Sequence, residues 1–293
     1  MTTLMQLDLD LAASREAGAQ GHVVDVIATD GDIRRLRAAG LPFRVEIRNL
    51  EQHHAARLAA FGPFPDSLTP ELGQGSMGGH YTLAEMEAIL DSFAQAYPGL
   101  CSAKTSLGQT IEGRDIWMVK ISDNVGVDEN EPELLYTGLH HAREPLSMST
   151  ALLFMDELLE GYGTDPEATF IIDNRELFFV PCVNPDGYEY NYQTNPGGGG
   201  MWRKNRRDNG DGTYGVDLNR NYSEGWTAPN GGSSTSTSSA TYRGTAPNSE
   251  PETVALTTFA NGRDFVQVMD THTYTDVVLR PWFYQTGNPA NVA

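Results

Sequence analysis

Histidine and glutamate side chains follow two segments of the sequence that have the pattern of β-strands. The segment ELLYTGLH (133–140) leads into His140, His141 and Glu144, and the segment FVQVMDTH (265–272) ends at His272. Open α/β sheets bind ligands at the carboxyl ends of their strands, so we expect these side chains to lie close together. Two imidazoles and one carboxylate, with a fourth position left for water, form the ligand set of a catalytic Zn²⁺ site. The sequence therefore predicts one Zn²⁺ site per chain.

The spacing alone does not decide which of two adjacent histidines is the first imidazole ligand. His140 lies four residues before Glu144 and His141 lies three residues before it, and a tight turn could bring either pair onto one ion. A histidine and a glutamate three residues apart are common on solvated surfaces, so this spacing is weak evidence by itself. The context strengthens it, because a second histidine stands at another strand end and Pro145 opens a helix directly afterwards.

The segments that must position these residues alternate between strand and helix patterns. Capping-box spacing from Thr82 to Glu85 starts one helix, and SMSTALLFMDELLEG (147–161) and SEPETVALTTFAN (249–261) have helical spacing. The strand patterns are ELLYTGLH, FVQVMDTH, DIWMVKIS (115–122) and ELFFVPCV (176–183). Such alternation predicts an α/β fold with a mixed, largely parallel sheet covered by helices on both faces.

A smaller module precedes this region. Residues 22–61 contain two strand-then-helix patterns, HVVDVIAT followed by DIRRLRAAG, and FRVEIRN followed by LEQHHAARLAAF. Residues 62–79 are rich in Pro and Gly, which favours an extended, exposed connector. We therefore expect an α/β module at 1–61, a linker at 62–79 and a larger domain at 80–293.

Charge and composition exclude several classes of protein. The 293 residues include 39 acidic and 20 basic side chains, a formal net charge of −19, which opposes binding to the phosphate backbone of nucleic acid. No apolar run approaches the length of a membrane span. The first twenty residues lack the basic start and apolar core of a secretory signal. Two cysteines, Cys101 and Cys182, are too few for a disulfide framework, and we expect both in the core.

Six motifs occur in an order that resembles the zinc metallocarboxypeptidases, in particular the branch of carboxypeptidase A and bacterial carboxypeptidase T. They are GLHHAREPLS (138–147), VNPDGYEY (183–190), MWRKNRR (201–207), VDLNRNY (216–222), YRGTAPNSEPET (242–253) and DTHTYTD (270–276). One such motif is a weak signal, whereas the ordered set over residues 80–293 is specific. The resemblance implies a zinc-dependent peptidase that removes the C-terminal residue of peptides or proteins with a free C-terminus.

The resemblance also implies roles for individual residues. It makes His141, Glu144 and His272 the zinc ligands and leaves His140 as a packing neighbour. It matches Arg203 to the arginine that stabilises charge on the scissile carbonyl oxygen, where one lost donor costs on the order of 3 to 4 kcal/mol. The alternative for Arg203 is a surface basic patch shared with three nearby cations, which we expect to be surface or ion-pair residues: Lys204, Arg206 and Arg207.

Further residues match substrate-binding positions of the family. Asn219 and Arg220 match the pair that holds the terminal carboxylate of the substrate, a group that a planar guanidinium recognises in bidentate fashion. Arg143 and Tyr274 match residues that line outer subsites, with structural packing as the alternative for both. The N-terminal module resembles the prosegments of bacterial zinc carboxypeptidases, which implies a secreted zymogen whose cleft is shielded until the linker is cut.

One part of the family pattern has no match in this sequence. The resemblance implies a glutamate general base and a mobile tyrosine well downstream of the third zinc ligand, whereas Asp276 is the only carboxylate after His272. We therefore expect the sequence to be part of a longer chain. Two alternative functions stand beside the peptidase: a non-catalytic protein that binds zinc and peptide C-termini, and a related amidase that acts on cell-wall peptides.

Overall fold

The computed structural model describes residues 7, 9–16, 22–53, 56, 75–227, 232–273 and 278–279. In the N-terminal module, strand β1 (Asp10–Glu16) pairs antiparallel with strand β2 (His22–Ile27), and helix α1 (Asp30–Ala38) follows. Helix α1 begins with a capping box in which Thr29 Oγ1 accepts from the Asp32 N–H at 3.2 Å and Asp32 Oδ2 accepts from the Thr29 N–H at 2.7 Å. The domain boundaries and the linker remain predictions.

The predicted strand FRVEIRN is wrong. Residues 41–49 form no strand, and the three alternating apolar side chains in this segment are exposed: Phe43, Val45 and Ile47. Apolar alternation favours a strand only where a neighbouring edge and a core are present to receive it. Neither is supplied to this segment by the described residues.

The larger domain is built on a five-stranded sheet. Its strands are β3 (Thr105–Gln109), β4 (Asp115–Ile121), β5 (Glu133–Gly138), β6 (Glu176–Val180) and β7 (Phe265–Thr271), in the spatial order β3-β4-β6-β5-β7. Strand β4 pairs antiparallel with β3 and β6, whereas β5 pairs parallel with β6 and β7. The predicted mixed α/β sheet is confirmed.

Five helices accompany the sheet: α2 (Leu83–Ala96), α3 (Pro145–Gly161), α4 (Pro166–Asp173), α5 (Pro185–Thr194) and α6 (Pro251–Asn261). Helix α2 has the predicted capping box between Thr82 and Glu85. The other four begin at a proline, whose missing N–H costs nothing at the first helical position. No helix in the described ranges is long and apolar enough to cross a bilayer.

Two apolar cores cover the two faces of the sheet. Successive side chains of a strand point to opposite faces, and on the central strand β6 this places Phe179 in one core and Phe178 in the other. The first core includes residues of α2 and α3 such as Leu90 and Leu152, and the second includes Leu256 of α6. The sheet is therefore covered on both sides, as predicted. Both cysteines are buried and free.

Candidate metal and substrate site

Strands β5 and β7 bring the two histidine-bearing segments together. The two strands are parallel, and their last residues, Gly138 and Thr271, are paired. The segments that follow them therefore leave the sheet at the same place. Directly after β5, Leu139 has a positive φ of 55°, a strained conformation of the kind that occurs at functional sites. Its N–H donates to Ser147 Oγ at 3.0 Å, which ties the turn to the first residues of α3. The histidines of both segments therefore lie at the same end of the sheet.

Two of the three predicted ligands converge on the third, the carboxylate of Glu144. His141 Nδ1 lies 2.9 Å from Glu144 Oε1, and His272 Nδ1 lies 2.8 Å from Glu144 Oε2. One ligand atom of each residue lies within 4.8 Å of those of the other two. Imidazole nitrogen and carboxylate oxygen are donors that suit Zn²⁺, so the residues that are present fit this ion.

Burial and the charges of neighbouring residues shift the pKa of each of these three residues. Burial would raise the pKa of Glu144, but the hydrogen bonds and charges of His141 and His272 hold it well below its ordinary value. Burial would lower the pKa of His272, but the Asp270 and Glu144 carboxylates raise it to about 10. Burial, with the nearby Arg203 charge, lowers the pKa of His141. A metal ion that binds His272 would therefore displace a proton from its ring at neutral pH.

Arg203 lies behind the histidine cluster and is buried. Its Nη2 and Nε donate to Asp217 Oδ2 at 2.8 and 3.2 Å, and Asp217 is fully buried. Asp217 Oδ1 lies 3.2 Å from His141 Nε2, close in distance although not aligned for a hydrogen bond. One carboxylate therefore contacts both the histidine and the arginine, and it fixes the guanidinium through two donors.

The four neighbouring cations do not form a surface basic patch. Lys204 is buried, its Nζ donates to Thr237 O at 2.8 Å, and burial lowers its pKa to about 8. The expectation that Lys204 is a surface or ion-pair residue is therefore wrong. The Arg206 guanidinium lies 3.8 Å from the centroid of the Tyr190 ring, and Arg207 pairs with Glu250 at 3.0 Å.

The predicted substrate-binding residues lie around the cluster with other partners. Asn219 Nδ2 lies 3.0 Å from His272 Nε2. Arg220 donates from Nη1 to Asn219 O at 2.8 Å and from Nε to the carbonyl of Gly232. Arg143 pairs with Asp10 of β1, with Nη2 to Oδ1 at 2.9 Å. Tyr274 lies outside the described residues.

Sequence reasoning missed two buried asparagines that hold the site loops together. Asn184 caps α5 by accepting from the Gly187 N–H at 3.0 Å, and its amide donates to His140 O at 3.0 Å. The Asn191 amide donates to Ala142 O at 2.9 Å and to Trp202 O at 2.8 Å, and it accepts from the Trp202 N–H at 2.9 Å. The Asn-Pro-Asp-Gly turn could have revealed Asn184, but no local pattern distinguishes Asn191.

Comparisons with known proteins identify one protein family. The sequence model of the zinc carboxypeptidase family matches residues 86–292. A zinc carboxypeptidase of Saccharothrix mutabilis subsp. capreolus is 38% identical over 213 residues, which cover 71% of this chain and 47% of that protein. Carboxypeptidase A1 of Sus scrofa is 34% identical over 215 residues, which cover 72% of this chain and 49% of that protein.

Solved structures show the same likeness. Carboxypeptidase A from Helicoverpa armigera superposes with a TM-score of 0.72 at 25% identity, covering 92% of this chain and 64% of that one. Thrombin activatable fibrinolysis inhibitor superposes with a TM-score of 0.71 at 25% identity, covering 92% of this chain and 65% of that one. The fold is therefore the mixed α/β fold of the zinc carboxypeptidases. This chain belongs to the zinc carboxypeptidase family, and it spans about half the length of the curated relatives it matches.

Proposed function

We propose that this protein is a zinc-dependent carboxypeptidase that hydrolyses the C-terminal peptide bond of peptides and proteins. The observation that carries the proposal is the convergence of His141 Nδ1 and His272 Nδ1 on the two oxygens of Glu144. These residues would hold one Zn²⁺ ion, which supplies Lewis-acid activation of a carbonyl and of water when it is bound. The family match supports the choice of metal.

The neighbouring residues have roles that follow from their chemistry. Arg203 is held by Asp217 and stabilises negative charge that develops on the oxygen of the scissile carbonyl. Arg220 recognises the terminal carboxylate of the peptide through its planar fork of donors, and Asn219 contributes an amide beside it. Arg143 lines the outer part of the substrate site, and the resemblance gives Tyr274 the same role. A peptide with a free C-terminus is therefore the substrate class.

Hydrolysis of a blocked dipeptide with a free C-terminus tests this function. We expect one zinc per chain by elemental analysis, turnover that stops with a chelator and returns with Zn²⁺, and little turnover of the same dipeptide amidated at its C-terminus. Arg220→Lys keeps the charge but removes the fork, so this variant should lose most of the preference for the free carboxylate. Stoichiometric zinc with peptide binding and no turnover would overturn the hydrolase in favour of a binding protein.

The proposal extends to the N-terminal module, which acts as an inhibitory prosegment. Asp10 of β1 is buried and pairs with Arg143 through both carboxylate oxygens, at 2.9 and 2.7 Å, and its Oδ1 lies 3.8 Å from Arg203 Nη1. A carboxylate of the chain itself thus lies among arginines that the proposed reaction needs for substrate. The likeness to thrombin activatable fibrinolysis inhibitor covers 92% of this chain and extends into the module. A secreted precursor, cut in the linker, fits this arrangement.

Replacement of Asp10 tests the inhibitory role. A charge-assisted hydrogen bond contributes about 1.5 to 3 kcal/mol, so Asp10→Asn should raise the hydrolysis rate of the uncut chain about tenfold or more. Asp30→Asn, which removes an exposed carboxylate of the same module at the start of α1, is the control. Equal rates for wild type and both variants would contradict inhibition by Asp10 and would leave the peptidase assignment untouched.

A further inference from the structure

A series of polar side chains in contact with one another begins at His272 Nε2, the ring nitrogen that does not face Glu144. Asp270 Oδ2 lies 2.8 Å from His272 Nε2, and Asp270 Oδ1 lies 2.8 Å from His140 Nδ1, close although not aligned for a hydrogen bond. Asp270 Oδ1 also accepts from Thr137 Oγ1 at 2.9 Å. His140 Nε2 in turn lies 2.7 Å from the Tyr222 hydroxyl. Thr137 of β5 and His140, which follows β5, therefore both contact Asp270 Oδ1, the carboxylate oxygen that does not contact His272.

The strand pattern explains why a carboxylate stands at this point. Residues two apart in an extended segment project to the same side, so Asp270, near the end of β7, lies beside His272, the first residue after the strand. Asp270 is paired in register with Thr137 of β5, and this pairing brings the Thr137 hydroxyl to its carboxylate. The position of Asp270 is thus set by the sheet rather than by a mobile loop.

We propose that Asp270 is a positioning residue that orients His272 for the metal. Its carboxylate contacts Nε2, which leaves Nδ1 as the nitrogen that faces Glu144. A carboxylate on the outer nitrogen of a metal-binding histidine fixes the ring and its tautomer and makes the ligand a better donor. This inference rests on the proposed zinc site. Asp217 stands in a similar place beside Nε2 of His141, so each histidine has its own carboxylate.

The same residues offer a competing arrangement, a second metal ion. His140, Asp270 and His272 also have donor atoms within 4.8 Å of one another. A second ion would require His272 to give up the protons of both ring nitrogens. It would also compete with the Thr137 hydroxyl for Asp270 Oδ1. The geometry therefore favours positioning over a second ion, and the metal stoichiometry separates the two.

The test compares Asp270→Asn with wild type and with Asp173→Asn. Asp173, at the end of α4, accepts from the Tyr162 hydroxyl at 2.9 Å on the surface, so its replacement is the same chemical change away from the site. Zinc affinity is measured by competition with a chromophoric chelator, and thermal unfolding of each metal-free protein verifies that it is folded. We expect Asp270→Asn to weaken zinc binding 10- to 100-fold, the usual effect of losing such a carboxylate, with Asp173→Asn unchanged.

A second measurement detects orientation directly. The ¹⁵N chemical shifts of His272 report which ring nitrogen carries the proton in the zinc-bound protein. Wild type should show a proton on Nε2, and Asp270→Asn should show a mixture of ring states. Unchanged affinity and unchanged shifts in Asp270→Asn would overturn the positioning role, and two zinc ions per wild-type chain would replace it with a second metal site. Failure of the wild type to bind any zinc would instead refute the proposed function.

Discussion

Two buried acids, Asp217 and Glu252, differ in protonation because they have different neighbours. Asp217 is buried against the Arg203 guanidinium, which together with His141 holds the pKa of Asp217 well below its ordinary value in spite of burial. Glu252 has a different neighbour, because the side chain next to it is another acid. Burial raises the pKa of Glu252 to about 8, and the nearby Glu250 charge adds to this shift. These two acids therefore have opposite effects on stability as the pH changes.

The raised pKa of Glu252 predicts a loss of stability toward alkaline pH. A carboxyl that holds its proton more tightly in the folded chain than in the unfolded chain lowers the free energy of unfolding as the pH rises from about 4.5 to about 8, and has no further effect above that range. Glu252→Gln should remove this decrease, which amounts to about 1.4 kcal/mol per unit of pKa difference.

Urea unfolding at pH 5, 6.5 and 8.5, with a chelator present, measures the effect of Glu252. The control is Glu167→Gln, which changes an exposed glutamate in the first turn of α4. If wild type and Glu252→Gln differ by the same free energy of unfolding at all three pH values, Glu252 is ionised throughout and the expectation is wrong.

At the scale of elements, helix α5 joins the two loops that carry the site. Its residue Asn191 bonds to Ala142, beside His141, and to Trp202, beside Arg203. The two loops also contact each other directly, because the Ala142 N–H donates to Arg203 O at 3.0 Å. The distance between the metal ligands and Arg203 is thus set largely by hydrogen bonds of α5 and its cap rather than by either loop alone.

Replacement of Asn191 should therefore destabilise the domain. Asn191→Ala leaves two carbonyls and one N–H without their buried partner, and each orphaned group costs about 1 to 3 kcal/mol, so the loss should exceed about 2 kcal/mol. Asn174→Ala removes a single amide-to-carbonyl bond at the surface end of α4 and should cost much less. Urea unfolding of both variants measures the difference. Similar small losses in the free energy of unfolding would show that the hydrogen bonds of Asn191 do not hold the two loops together.

At the scale of the whole molecule, the sheet ends on one side in an exposed edge strand. Strand β7 lies at the end of the strand order, and its side chains are mostly exposed, with Val266 at 69% and Val268 at 59%. No other strand in the described ranges pairs with its outer edge. An exposed apolar edge strand offers free backbone groups to another chain.

We therefore expect this chain to associate through β7 as its concentration rises. Sedimentation velocity across a concentration series should show oligomers for wild type, and Val268→Lys should shift the series toward monomer because a charge on the edge strand opposes pairing. Val254→Lys, on the exposed surface of α6, is the matched control. Wild type that stays monomeric at every concentration, or a Val254→Lys variant that dissociates as well, would contradict association through this edge.

Local patterns in the sequence were enough to predict the α/β class, the capping box of α2 and the Pro-initiated helix that follows Glu144. They also predicted histidines at two strand ends. These features depend on backbone preferences and on periodicities of a few residues, which are present in the sequence itself. The roles assigned to His141, Glu144 and His272 came from the resemblance and stay predictions for the zinc experiments.

The tertiary structure alone decided which groups meet. It directs His141 toward Glu144 and His140 toward Tyr222 and Asp270, a choice that spacing left open. It buries Lys204, leaves residues 41–49 without a strand and brings Asp10 to Arg143. Each of these outcomes depends on contacts between segments far apart in the chain, and such contacts follow from the packing of the whole sheet and its helices, which no local pattern encodes.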